Sequence, residues 1–312
     1  MLLPRRLGPA VWRGVAAACS PARPLLVQLV VTRRCNLACA YCEEYDHASA
    51  AVPVADLEQR VDRAAALGAL ILTFTGGEPL LHPDLACLVA RASSHGMVCT
   101  VVSNGTMLSP SWIDRLNDAD LNLLQISVDN LEPDGRSRKS WSALRPTLEL
   151  LRARARFPVN VNAVLGASPP DVLRRLAGDV RDAGFYMTFG FMHDDDGQIL
   201  PSLVGNGFSH MFGGLQRSSR KTLFHRSGEG WEQRLLDEGR SPWRCRAGGR
   251  YLYVDEDGLV SYCSARRGEP GVPLLEYDAG HVTREFNTRK ACETGCAIGC
   301  ARRASALDRW RR

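Results

Sequence analysis

Cys35, Cys39 and Cys42 stand in the order Cys-x3-Cys-x2-Cys directly after the apolar run Leu25–Val31. The informative count is three. A 4Fe-4S cluster has four irons and is normally closed by four cysteine thiolates. Three local thiols therefore leave one iron free to take a small molecule, as the open position does in a catalytic zinc site. A zinc knuckle, or three unrelated buried thiols, is the competing explanation. A second set of thiols, Cys245, Cys263, Cys292, Cys296 and Cys300, lies near the other end of the chain.

The first motif, with Tyr41 immediately before its third cysteine, resembles the signature of the radical S-adenosylmethionine (SAM) superfamily. The resemblance implies that Cys35, Cys39 and Cys42 hold a 4Fe-4S cluster whose open iron binds SAM. A second strand-like run ends in Thr75-Gly76-Gly77-Glu78-Pro79, which resembles the Gly-Gly-Glu motif of that superfamily. There the resemblance implies a turn for the methionine amino group, with Glu78 accepting from the ammonium; a plain turn uses the same residues. The turn Ser103-Asn104-Gly105-Thr106 is also common in the superfamily, at the mouth of the barrel.

Period two in Gln125-Ile126-Ser127-Val128-Asp129 puts Gln125, Ser127 and Asp129 on one face of a strand. When helices cover the outer face of a parallel sheet, such polar residues face a lined cavity, which makes Ser127 and Asp129 the candidates for the SAM ribose. Asn160 and Asn162 alternate in the same way with Val159 and Val161. Buried amides need partners, and either the cofactor or a structural network supplies them.

At the C-terminal end Cys245 and Cys263 flank Gly258 as Cys-x12-Gly-x4-Cys, followed by Cys292, Cys296 and Cys300 at Cys-x3-Cys-x3-Cys. This resembles the opening half of the auxiliary-cluster domains called SPASM and twitch, with the later cysteines shortened. The resemblance implies a second 4Fe-4S cluster, held by Cys245, Cys263 and two of the last three, and acting as an electron acceptor, with direct substrate binding at an open iron or a brace for the fold as the other roles; structural zinc is the alternative. Cys87 and Cys99 fall inside helix and strand patterns and read as core thiols. Glu43, Glu44, Tyr45, Asp46 and His47, with His193 and Asp194, are the candidates for acid or base work, or else ordinary polar loops.

The elements that must position these groups alternate along the chain. Strands are expected at Leu25–Val31, Leu70–Thr75, Cys99–Ser103, Leu123–Asp129, Val159–Leu165 and Phe185–Met192, with helices near 55–67, 83–95, 110–118, 140–155 and 171–183. Repeated strand, helix, strand implies right-handed crossovers and a parallel sheet, so the fold class is α/β. Six such units resemble a partial (β/α)6 radical SAM barrel, followed by a small C-terminal cysteine-rich domain. The expected divisions are a basic extension over 1–24, the barrel over 25–193, a last helix and linker over 194–241, the auxiliary-cluster domain over 242–300 and a basic tail over 301–312.

Composition excludes little beyond wholesale disorder, since 45% of the 312 residues are hydrophobic. The net charge of +5 is uneven, with six arginines and no acid in residues 1–34. Eleven cysteines, an odd number with eight in metal-ligand groupings, point to a reducing cytoplasm rather than to disulfides. Arg13 interrupts what would be the apolar core of a signal peptide. No apolar run reaches the ~20 residues of a membrane span, although peripheral membrane contact by the basic N-terminus stays open.

The reading is an enzyme that cleaves SAM to a 5′-deoxyadenosyl radical and takes hydrogen from an unactivated C–H bond of a peptide or small metabolite. An external one-electron reductant such as flavodoxin or ferredoxin is expected, and nucleic acid is not an expected partner. A His-Asp-x-x-Arg motif kept by some relatives after strand four is absent, which weighs against a peptide maturase. With 34 residues before Cys35, a leader peptide would be read by a separate protein. The alternatives are a lipid-modifying or membrane-associated enzyme of the same kind, and a non-catalytic iron-sulfur or zinc scaffold.

Overall fold

The computed structural model describes residues 7–218 and 230–308. Its centre is one open sheet in the order β6-β5-β4-β3-β2-β1-β7-β8-β9. Strands β1 (Leu26–Thr32), β2 (Ile71–Gly76), β3 (Val98–Ser103), β4 (Leu123–Ser127), β5 (Val159–Leu165) and β6 (Tyr186–Phe191) are parallel neighbours. Between them run α2 (Val54–Ala66), α3 (Leu85–Ser94), α4 (Pro110–Asp118), α5 (Trp141–Arg154) and α6 (Pro170–Asp182), preceded by α1 (Leu7–Cys19). Each connection is thus a strand-helix-strand crossover, and the sheet curls as a partial barrel that does not close.

The two faces of the sheet differ as period two requires. Val27, Leu29 and Val31 of β1, Leu72 and Phe74 of β2, Val101 of β3 and Ile126 of β4 share one core with Leu57 and Val61 of α2, Leu88 of α3 and Ile113 of α4. Each such burial contributes roughly 1.5–3 kcal/mol, so this helix-covered face holds the sheet together. Cys99 belongs to it, and burial pushes its thiol up to about 12. Cys87, expected in the core, is instead exposed on α3.

The other face is polar. Asn160 donates to Thr188 Oγ1 at 2.8 Å and to Gln125 Oε1 at 3.4 Å, and Thr188 donates to Asn162 at 2.9 Å. The two amides are thus linked through Thr188 into one side-chain network. Helix starts follow local chemistry: Ser109 caps α4 by accepting from Trp112 N, and Ser140 caps α5 by accepting from Ala143 N.

The C-terminal unit is continuous with the same sheet. β7 (Tyr251–Val254) pairs in parallel with β1, from Leu26 opposite Tyr251 to Leu29 opposite Val254, and β8 (Leu259–Ser261) and β9 (Pro270–Pro273) add antiparallel strands. Helices α7 (Gly207–Ser218), α8 (Trp231–Glu238), α9 (Ala279–Asn287) and α10 (Gly299–Ala306) complete the described chain. Leu26 and Val30 turn to the face away from the main core and pack with Tyr251, Tyr253, Cys245, Cys263, Cys296 and Ile298. Residues 301–308, expected in a basic tail, are largely packed: Ala301, Arg302 and Ala304 are buried, and Asp308 makes a two-bond ion pair with Arg250 at 2.6 and 2.8 Å. The rest of that tail lies outside the described residues. Among the described residues no helix is long and apolar enough to cross a membrane.

Candidate functional site

β1 delivers the first cysteines into a loop that is closed at its neck. Cys35 N donates to Asp46 O and Asp46 N to Arg33 O, each at 2.9 Å, and Asp46 Oδ1 also accepts from the backbone of Ala48 and Ser49. His47 Nδ1 lies 3.0 Å from Cys35 O. Asp46 and His47, read as acid or base candidates, here build the loop. His193 and Asp194 do the same beyond β6, where Asp194 accepts from the backbone of Asp196 and Gln198.

The Gly76-Gly77-Glu78-Pro79 turn at the end of β2 docks against this neck. Gly77 N donates to Thr32 O at 2.8 Å and Glu78 N to Arg34 O at 2.9 Å. Gly76 has φ +139°, and a Cβ there would lie 2.1 Å from Thr32 O; at Gly77 it would lie 2.3 Å from Arg33 O. Both glycines are thus demanded by contact with the cysteine loop itself, a reason the motif does not announce.

Glu78 is fully buried. Its Oε1 accepts from Leu80 N at 3.0 Å and Ser103 Oγ at 2.8 Å, and its Oε2 accepts from Asn104 N at 2.7 Å. The carboxylate ties the β2 turn to the β3 turn. Burial pushes its pKa up to about 7, against the pull of those three donors. Asn104 in turn reaches the cysteine loop, donating to Asn36 Oδ1 at 2.8 Å with its Nδ2 3.8 Å from Cys35 Sγ.

Asp129, just past β4, is also sealed from solvent. Its Oδ2 accepts from Ser137 Oγ at 2.9 Å, from Tyr41 OH, and faces Lys139 Nζ at 3.2 Å. Lys139 Nζ also donates to Tyr41 OH at 2.6 Å, and Ala40 N donates to Arg136 O at 3.0 Å. Tyr41, beside Cys42, is therefore clamped by the segment after β4. Burial opposes the charge on Lys139, yet Asp129, Tyr41 and Cys39 outweigh it and hold the ammonium protonated. Sequence reading named Tyr41 and Asp129 but gave Lys139 and Ser137 no role in the site; a charge in a polar loop carries no signal of burial. Ser127 is half-buried on the polar face of β4.

Asp129 Oδ1 is buried without a hydrogen-bond partner. An orphan carboxylate oxygen costs free energy unless a ligand satisfies it, and a ribose hydroxyl is a suitable donor. With three thiols, of which burial pushes Cys35 and Cys42 up, the donor set fits an iron-sulfur cluster and SAM. Among the described residues no three His, Cys, Asp or Glu side chains gather closely enough to hold a single metal ion. Cluster thiolates bind separate irons and need no such convergence.

The C-terminal thiols lie near one another. Cys245 and Cys263 each lie within electrostatic reach of Cys292 and Cys296. Burial pushes Cys263 up to about 12 and Cys296 to about 11. Cys300 packs against the same cluster, with its Sγ 3.6 Å from Gln28 Nε2 on β1. A further link missed in the sequence joins the two thiol sets: Tyr253 OH on β7 donates to Glu44, and Arg267 bridges Tyr253 OH at 3.1 Å and Glu44 at 3.6 Å.

Residues 29–175 match the family model of the radical SAM superfamily. This stretch is a radical SAM domain. The PqqA peptide cyclase of Xanthomonas axonopodis pv. citri (strain 306) is 35% identical over 156 residues, covering 46% of this chain and 40% of that protein. The PqqA peptide cyclase of Granulibacter bethesdensis is 30% identical over 163 residues, covering 50% and 43%. The chain thus spans less than half the length of these curated relatives. In fold it is similar to Streptococcus suis SuiB bound to the precursor peptide SuiA, with TM-score 0.65 and 16% identity over 92% of this chain and 74% of that one. It is similar too to anSMEcpe with bound AdoMet and the Cp18Cys peptide, with TM-score 0.64 and 16% identity over 92% and 96%. The likeness in fold thus extends beyond the radical SAM domain into the C-terminal unit.

Proposed function

We propose that the chain is a radical SAM enzyme that modifies a peptide, working in a reducing cytoplasm with an external one-electron donor of the flavodoxin or ferredoxin type. The observation that carries this reading is the junction of three turns. The cysteine loop, the Gly76-Gly77-Glu78 turn and the Ser103-Asn104 turn are tied into one unit by Glu78 and Asn104, with the orphan Asp129 Oδ1 among the buried groups after the next strand. The peptide substrate is supported by the relatives' names, PqqA peptide cyclase, and by the peptide-bound fold neighbours. A small metabolite is the competing substrate.

When bound, a cluster on Cys35, Cys39 and Cys42 together with SAM supplies a 5′-deoxyadenosyl radical by one-electron cleavage, and a second cluster supplies an electron acceptor. The chain's own residues do the positioning. Asp129 offers Oδ1 to a ribose hydroxyl. Gly76 and Gly77 let the β2 turn close on the loop neck, while Tyr41, held by Asp129 and Lys139, keeps the loop against the sheet. Cys245, Cys263, Cys292 and Cys296 would hold the second cluster, with Tyr253 and Glu44 joining its hairpin to the first loop.

The exposed Val11, Trp12 and Val15 on α1 favour a second reading for location only, peripheral contact with a membrane. The test of the two-cluster reading is iron content after anaerobic reconstitution. Wild type should hold about eight irons and the Cys35, Cys39, Cys42 triple alanine variant about four. About four irons with one zinc in the wild type would contradict the second cluster.

A further inference from the structure

Away from the cysteine loop, α8, the 241–246 segment and the ends of α9 and α10 enclose a cavity of about 680 Å³. Its lining is cationic, with Arg234, Arg244, Arg246, Arg289 and Arg302, and Asp308 is the acid among its lining residues. Asp308 is already engaged by Arg250 through two hydrogen bonds at 2.6 and 2.8 Å. The lining is thus richer in arginine than in acid, in a half-enclosed space where field lines concentrate.

Arg302 forms its floor. The side chain is 3% exposed, and its guanidinium lies 4.7 Å from the ring centres of both Trp231 and Trp243. Nε donates to Cys296 O at 2.7 Å and Nη2 to Ser241 O at 3.2 Å, but Nη1 is buried with no hydrogen-bond partner. An unpartnered guanidinium nitrogen held between two indoles is costly to bury. It becomes favourable when an oxyanion completes the fork. Arg244 and Arg289 stand at the rim, Arg244 half-buried beside Glu293 and Arg289 exposed.

From this cavity we infer a docking site for an acidic peptide segment, whose carboxylates pair with Arg302 on the floor and with Arg244 and Arg289 at the rim. The inference rests on the peptide reading above and adds a second point of contact for the substrate or its leader. A volume of about 680 Å³ suits a group of side chains rather than one small anion. Five arginines around one cavity suit successive acidic residues of a peptide.

The test uses the anaerobically reconstituted full chain and a fluorescein-labelled octaglutamate peptide, followed by anisotropy at about 0.15 M salt, where long-range charge effects are screened. Saturable binding is expected, weakened at least tenfold in Arg244→Gln/Arg289→Gln and abolished in Arg302→Gln. Arg154→Gln/Arg156→Gln removes the same charge from an exposed surface where these arginines pair with Asp114 and Asp118, and should bind as wild type. If Arg302→Gln fails to fold, the rim pair alone decides. Equal losses in the two double variants would show a general field and overturn the site. Displacement by equimolar citrate or inorganic phosphate would show a small-anion site and overturn the peptide assignment, as would absence of binding. SAM cleavage should be unchanged in the rim variant. Lost or absent octaglutamate binding beside intact cleavage thus rejects this inference alone, whereas loss of cleavage in the wild type rejects the enzymatic reading.

Discussion

Lys139 Nζ lies 3.2 Å from Asp129 Oδ2, while the backbone N–H of Asp129 donates to the carbonyl of Lys139 at 2.8 Å. The two residues, ten apart in the chain, hold each other through both side chain and main chain, and between them they clamp Tyr41 beside the third cysteine. Removing one partner leaves a buried charge without compensation. Lys139→Met should therefore destabilise the protein by about 3–5 kcal/mol. The double variant Lys139→Met/Asp129→Asn should recover much of that loss, which a double-mutant cycle by urea denaturation would show. Additive losses in the cycle would mean that the pair does not act as a unit.

The glycines of the β2 turn give a second expectation. Gly77→Ala brings a methyl group within 2.4 Å of the carbonyl oxygens of Arg33 and Arg34, backbone atoms that cannot swing aside. A cost of about 1–3 kcal/mol is expected from overpacking, together with loss of iron from the first thiol set. Gly135→Ala, with nothing within 4 Å of its added Cβ, should stay within about 0.5 kcal/mol of wild type. Thermal melts and iron content of the two variants make the comparison.

Glu78 predicts a pH dependence. Its folded pKa is raised from 4.5 to about 7, so the folded state binds the proton more tightly than the unfolded one. Stability from this group is complete below pH 4.5 and is lost as pH rises through 7, by about 3 kcal/mol. Glu78→Gln has no proton to lose, so the difference in stability between wild type and variant should shift in the variant's favour from pH 5 to pH 8. A difference that stays constant over that range would show that Glu78 does not titrate there.

Much of this architecture could be read before the structure. Strand β5 spans Val159–Leu165 as expected, because strict alternation of Val and Asn leaves one register in which the apolar face is covered. The cysteine loop and the Gly-Gly-Glu turn are legible from spacing alone. Their partners are not. Glu78 bonds to Asn104 on the next strand's turn, a pairing that depends on how β2 and β3 align, and Lys139 is largely covered because the loop before the α5 cap at Ser140 folds over Tyr41. Helix α10 escaped notice for a similar reason: Gly-Cys-Ala-Arg-Arg-Ala-Ser-Ala has no apolar stripe, and Arg302 enters the interior by donating to carbonyls and stacking on tryptophans.

The division of the C-terminal thiols is testable residue by residue. Cys296→Ala should lose the second cluster and fall to about four irons, while Cys300→Ala, whose thiol faces Gln28, should keep about eight. Iron and acid-labile sulfide assays on the reconstituted variants decide it. The reverse pattern would place Cys300 among the ligands and Cys296 outside them.

The most direct test of the central claim is the fate of SAM. Reconstituted protein, reduced with dithionite under anaerobic conditions, should convert SAM to 5′-deoxyadenosine and methionine, measured by liquid chromatography. The Cys35, Cys39, Cys42 triple alanine variant should form none, while Cys263→Ala should cleave SAM as wild type does. Cleavage that survives in the triple variant, or wild-type protein holding its full iron that leaves SAM intact, would contradict the account.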